Sequence, residues 1–362
     1  MTGMRALPLT ATLVVLIASG YACGSDDAPT ATQQVLVVGE SASPSTGAVS
    51  TRSPSPTTTP EPTVTPEPKL VSLDWLPSRV DIPDIGAIAA PAQDAGLQMA
   101  ITTALTTFHG EACVEVRNLA DGRSAGIDES RSWYAASTFK TAILLAAYQQ
   151  RDAGLLDFEK VVTVEPKYAE NDLGTLEYLG IRPNDMITIG DAIKGMIVVS
   201  DTSLAGMLQD QIGGNAVDAA LRDVGAIVMT VNSHDLPTTS SDLTQLFIGI
   251  ASAHGVSAQS RDEMLSLLSQ EWYTSGIVAG LPAGTQYAHK SGTLGANTHD
   301  AAIVWGPSGP YVIVVMTDGS GGWEPIAKVS AAVWAYFGGI QPAKQWSVWS
   351  QCGDLRVLNH RA

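Results

Sequence analysis

The sequence predicts an α/β fold: an antiparallel sheet covered by the first and last helices, with an all-helical subdomain inserted between two blocks of strands. Three observations carry this. Short apolar runs joined by tight turns, CVEVRNL before Asp121-Gly122 and YVIVVMT after GPSGP, read as neighbouring antiparallel strands. Helical periodicity flanks them, with Leu97, Ile101, Leu105 and Phe108 ahead of the first strand and a helix over about 325–337 after the last. Those two apolar stripes need a surface, and one sheet face supplies it. Between the blocks, from about 132 to 270, helical signals dominate.

The chain of 362 residues opens MTGMRALPLTATLVVLIASGYAC. Arg5 precedes an apolar segment from Ala6 to Ala18, shorter than the roughly 20 residues a bilayer span requires, and small residues lead to Cys23. Residues 1–23 therefore read as an export signal. Cys23 followed by GSDDAPT resembles a bacterial lipoprotein junction, which implies a lipid on Cys23 and attachment to the outer face of a bacterial membrane; ordinary cleavage and secretion is the alternative. Residues 24–88, centred on SPSPTTTPEPTVTPEPK, are expected to form a disordered linker, extended by its prolines at about 3 Å per residue. The folded domain is placed at 89–340, and a C-terminal tail with Trp346 and Trp349 at 341–362. Without Cys23, an exported chain keeps Cys113 and Cys352, either as a disulfide or as two free thiols.

Within the domain, the elements follow in order. After the first helix come CVEVRNL and a second strand near Ala125–Ile127. The helix containing Ser137 ends near Gly154. The next begins at Ile189 with Thr188 and Asp191 as its capping pair, and another runs from Leu204 to Ile212, stopped by Gly213-Gly214. Helices follow at Ala216–Val224, Asp242–His254 and Arg261–Gln270, the last with Ser260 and Glu263 as a capping box. After Gly284 the pattern returns to strands: TQYAHKSGT, AAIVW and YVIVVMT.

Charge and motif spacing exclude several functions. Thirty-six acidic against twenty basic residues give a net charge of −16, without the cationic surface a nucleic acid needs. The six histidines show no metal-ligand spacing, and the adjacent pairs His234-Asp235 and His299-Asp300 read as turn chemistry. No glycine-rich phosphate loop follows a strand, so no cofactor is implied.

Three short motifs remain: Ser137-Thr138-Phe139-Lys140 at a helix start, Ser200-Asp201-Thr202 between helices, and Lys290-Ser291-Gly292-Thr293 on a strand. In this order they resemble the serine β-lactamase and penicillin-binding protein superfamily, closest to the class A β-lactamases, with motifs S-x-x-K, S-D-N and K-[ST]-G. The resemblance runs from about Pro91 to Phe337 and includes the LPAG turn at Leu281–Gly284. It implies a sandwich with an all-helical subdomain and a groove between them.

A serine hydroxyl needs a base, and a lysine serves only when neutral, through burial or a nearby positive charge. Ser137 is thus expected as nucleophile, Lys140 as its base, Ser200 as proton relay to the leaving nitrogen, and Lys290 as the electrostatic partner of that relay. Lys290, Ser291 and Thr293 are expected to bind a substrate carboxylate, with Gly292 between them. Backbone N–H groups of Ser137 and Thr293 would meet the oxyanion, and Asp201 would fix its loop. Two departures stand out. Thr202 replaces the asparagine that orients the substrate. GAIVMTVNSHDLPTT, at 225–239, contains no glutamate of the E-x-x-L-N type, and its one carboxylate, Asp235, is the candidate substitute as deacylation base, with a turn or cap residue as the alternative. The expected function is an acyl-enzyme-forming hydrolase, a monomer, acting on a β-lactam or an acyl-D-alanine-like peptidoglycan peptide, with deacylation lacking the recognised class A base. The alternatives are a non-hydrolytic penicillin-binding or sensor module, and a D,D-carboxypeptidase-like enzyme.

Overall fold

The computed structural model describes residues 67–77, 79–170 and 172–340. A strap comes first, from β1 (Leu70–Val71) to β2 (Ala92–Gln93), followed by α1 (Ala95–Ala104), β3 (Ala112–Asn118) and β4 (Arg123–Ile127). The insert holds β5 (Trp133–Tyr134), a 3-10 turn over Ala136–Phe139, α2 (Lys140–Asp152), β6 (Val161–Thr163), α3 (Pro166–Ala169) and α4 (Thr175–Tyr178). It continues with β7 (Met186–Thr188), α5 (Ile189–Val198), α6 (Thr202–Ile212), α7 (Gly214–Asp223), β8 (Pro237–Thr238), α8 (Ser240–Ala251) and α9 (Ala258–Leu268). The chain then returns to the sheet with β9 (Tyr287–Leu294), β10 (Asn297–Gly306), β11 (Gly309–Thr317) and α10 (Glu324–Tyr336).

The main sheet runs β2-β4-β3-β11-β10-β9, antiparallel except for the β2–β4 pair. Its central strands are apolar on both faces because both faces are covered. Val114, Val116, Ala302, Val304, Ile313 and Val315 meet Leu97 and Ile101 of α1 and Ile326, Val329 and Val333 of α10. The alternate residues Ala301, Ile303, Val312, Val314 and Met316 join the larger core, with Leu243, Leu246 and Phe247 of α8. The period of two thus separates two cores through one sheet.

Caps set the helix starts. Asp94 accepts from the amides of Gly96 and Leu97 at 2.9 and 3.1 Å, and Thr188 accepts from Asp191 N at 3.1 Å, as its spacing predicts. The capping residue of α9 is Ser257 rather than Ser260, so that helix starts three residues before Arg261. Ser260 instead turns inward, where Arg151 and Asp152 hold its hydroxyl at 2.7 Å.

Residues 70–88 belong to the fold and not to the linker assigned by composition. β1 pairs with β7, Leu73, Leu76 and Ile85 are buried, and Val80 N donates to Ser266 Oγ at 2.8 Å. The apolar run LVSLDWL interrupts the Pro/Thr pattern, and burying it outweighs the entropy of ordering the chain. A chain beginning at residue 89 is expected to lose about 4 kcal/mol or more against one beginning at 67, from the buried side chains of Val71, Leu73, Leu76 and Ile85; urea unfolding of the two purified proteins measures it.

Candidate active site

The turn ahead of α2 is tightly specified. Ala135 N donates to Leu236 O at 2.8 Å, Thr138 Oγ1 donates to Ala135 O at 2.6 Å, and Ala136 adopts φ 46°, a left-handed conformation that a non-glycine residue takes only under constraint. Ser137 follows at the turn, with the helix of Lys140 behind it. The residues from Lys140 to Tyr148 are all buried, so α2 is a core helix whose first side chain is a lysine.

Gly292 explains how the third motif reaches this turn. A Cβ on Gly292 would lie 2.6 Å from Ser137 N and 3.0 Å from Thr138 N, so only glycine lets β9 come this close. β9 is the last strand of the sheet, and its outer edge is unpaired by strand. Ser291 N points outward along that edge, since it donates to a side chain of the insert and not to β10. Thr293, two residues on, shares its orientation by the strand period.

Lys140 is wholly buried, and its Nζ lies among four oxygens: Ser137 Oγ at 3.1 Å, Ser200 O at 2.5 Å, Ser200 Oγ at 3.2 Å and Thr202 Oγ1 at 3.1 Å. Burial lowers its pKa from the usual 10.5 to about 7, the positive charge of Lys290 pushes the same way, and Asp201 and Glu271 oppose both. A neutral amine has two N–H groups and one lone pair. With the protons directed at Ser200 O and Thr202 Oγ1, the lone pair is left for a hydroxyl proton. Thr202, which stands where the family pattern has asparagine, thus places its hydroxyl 3.1 Å from the lysine nitrogen.

The loop between α5 and α6 is held by Asp201. Its carboxylate accepts from Leu204 N at 2.6 Å, capping α6, and from Thr175 Oγ1 at 2.5 Å. Burial raises the pKa of this carboxyl, against the hydrogen bonds and the Lys140 charge. Ser200, immediately before it, has φ 59°, and this conformation delivers both its carbonyl and its hydroxyl to Lys140.

Lys290 and Ser291 meet a residue that the motifs do not announce. Glu271, in the segment after α9, accepts from Lys290 Nζ, from Ser291 N at 2.7 Å and from Ser291 Oγ at 2.9 Å. Lys290 Nζ also donates to Ser291 O at 3.0 Å. Behind them, His289 Nδ1 lies 3.0 Å from Asp300 Oδ1 and 3.6 Å from Glu271 Oε2. Burial pushes the imidazole pKa down, but the Asp300 and Glu271 carboxylates outweigh it, leaving His289 above the usual histidine value. All five side chains are fully buried or nearly so.

Asp300 thus pairs with His289 and accepts from Ile277 N at 2.8 Å, while neighbouring His299 points Nε2 at Tyr134 O, 2.9 Å away. That pair sits in a strand, not in a turn as its sequence suggests, and its two side chains have separate partners. Burial lowers His299 to about 4. Asp235 is exposed, its amide donates to Ser233 Oγ at 3.3 Å, and among the described residues no hydrogen bond joins its carboxylate to Ser137 or Lys140. Cys113 is buried on β3 and accepts from Trp133 Nε1 at 2.9 Å. Cys23 and Cys352 lie outside the described residues.

Solved structures share this architecture. PBP-A aligns at 26% identity with a TM-score of 0.65, over 70% of this chain and 99% of that one. A PBP-A variant, seen as its acyl-enzyme complex with penicillin G, aligns equally well, over 69% and 99% of the two chains. A β-lactamase from Sphaerobacter thermophilus shares the fold at 21% identity and a TM-score of 0.62, over 68% of this chain and 99% of that one. A family model described as the beta-lactamase enzyme family matches residues 96–337. With two thirds of its length inside that match, and with the sheet, insert and motif-bearing groove in place, the chain belongs to the beta-lactamase enzyme family.

Proposed function

We propose that this protein is a serine acyl-transfer enzyme that takes up a β-lactam or an acyl-D-alanine-like peptide as an ester on Ser137. The observation that carries the reading is the buried Lys140 amine, 3.1 Å from Ser137 Oγ, with its pKa brought to about 7. In the first step Lys140 Nζ takes the Ser137 proton as Oγ bonds to the carbonyl carbon. The N–H groups of Ser137 and Thr293 receive the oxyanion, the first aided by the start of α2. As the C–N bond breaks, Ser200 Oγ gives its proton to the leaving nitrogen and recovers one from Lys140, restoring the amine. Burial, aided by the positive charge of Lys290, keeps Lys140 from holding its proton.

Release of the acyl group is the slow step in this reading, because the segment 225–239 brings no glutamate and its one carboxylate, Asp235, is exposed. This favours long-lived capture, as in a penicillin-binding or sensor module, over rapid hydrolysis. The export segment ending at Cys23 supports a setting outside the cytoplasm, attached by a lipid, where peptidoglycan peptides are within reach.

Intact mass after mixing with penicillin G is expected to rise by one antibiotic per chain, and Ser137→Ala to abolish the increment; a full increment on that variant would overturn the assignment. After removal of free antibiotic, the adduct is expected to persist for many minutes in a mass time course, whereas loss within seconds would show an efficient water-activating group. Acylation should also depend on pH through Lys140. The protonated amine cannot accept a proton, so the rate should climb about tenfold per unit below a pH of about 7 and level off above it; stopped-flow labelling across pH 5–9 measures this.

A further inference from the structure

We propose that Glu271 fills the anion subsite of the groove from within, so that the site selects acyl donors without using a carboxylate beside the scissile bond. The inference rests on acylation at Ser137.

Of the three side chains expected to greet a substrate carboxylate, Lys290 and Ser291 are already committed to Glu271, while Thr293 stays exposed on the strand edge. A hydroxyl has one proton, and Ser291 Oγ gives it to Glu271 Oε1 at 2.9 Å, leaving only lone pairs for an incoming anion. Ser291 N, the outward amide of the same residue, donates to Glu271 Oε2 at 2.7 Å. Of the three N–H groups of Lys290, one goes to Glu271 and one to Ser291 O at 3.0 Å.

Charge points the same way. Lys290 and Glu271 form an ion pair with both side chains at 0% exposure, and His289 Nδ1 lies 3.0 Å from Asp300 Oδ1 beside it. The charge of Lys290 is thus matched by the carboxylate of Glu271 within the wall itself. A substrate carboxylate brought against Lys290 would meet the negative charge of Glu271 at nearly the same distance, in a region where water screens poorly. The remaining cation is Lys140, which is half neutral near pH 7.

The flank beyond Glu271 is aromatic. Trp272 packs edge-on to Tyr178 with ring centroids 5.4 Å apart, and Trp75 meets Tyr178 at 6.0 Å while remaining 45% exposed. Trp272 N donates to Val198 O at 3.0 Å, which ties this cluster to the end of α5, directly before the Ser200 loop. The substrate class that fits is therefore an acyl donor whose group next to the scissile amide is uncharged, such as an ester or amide.

The test compares penicillin G with its methyl ester, following acylation of the full chain by intact mass and dividing each rate by the compound's rate with hydroxylamine. The native protein is expected to favour the free acid by less than about tenfold. A preference above that overturns the inference while leaving acylation intact, and no adduct with either compound overturns the acylation reading and this inference together. Glu271→Gln frees Lys290 from its counter-charge and should shift the ratio toward the free acid by about tenfold or more. An unchanged ratio in the folded variant overturns the proposal, and if that variant does not fold, the native ratio decides.

Discussion

The placement of one amine in a dry interior governs the groove. Lys140 stands where a leucine or methionine would suit α2, and an ammonium there would forfeit its hydration. The four oxygens around Nζ make the position tenable without forcing the charged state, so the amine can give up and recover a proton near neutrality. Two of these oxygens come from Ser200, sixty residues away in sequence. The unusual backbone angles at Ala136 and Ser200 each cost of order 1–3 kcal/mol. The buried face of α2 and the cap at Asp201 hold them in place.

Much of this was legible in the sequence because the family's three short motifs hold residue type at fixed spacings. Ser137 and Lys140 lie one turn apart, and Gly292 sits where a strand must touch a turn, so both leave marks that a single chain displays. The two sheet faces were legible in YVIVVMT, whose uninterrupted apolar run fits a strand covered on both sides. Glu271 left no such mark: one glutamate after a helix has no spacing rule that relates it to Lys290, nineteen positions later. Strands of two or three residues, such as β5 and β8, are too short to show periodicity. The strap was hidden differently, since its apolar residues follow a long Pro/Thr tract that dominated the local composition.

The electrostatics of the groove are set by contacts within the interior and not by the net charge of the chain. Lys290 lowers the Lys140 pKa and Glu271 raises it, so the two members of the ion pair act on that amine in opposite directions, and burial is the leading cause of the shift. Ser291, which bonds Glu271 through both its amide and its hydroxyl, fixes that pair to the edge of β9. Breaking a buried pair by removing one partner usually destabilises strongly, because the other charge is left uncompensated.

The strap joins the two halves that flank the groove. At one end Leu70 and Val71 pair with Met186 and Ile187 of the insert; at the other, Ala89 N donates to Leu119 O at 2.8 Å and Ala92 pairs with Arg123 of the sheet. It therefore acts as a tie-bar across the cleft, limiting how far the halves can hinge apart. Because β1–β7 comprises only two residue pairs, the insert end of this tie is expected to open by local unfolding before the two cores do.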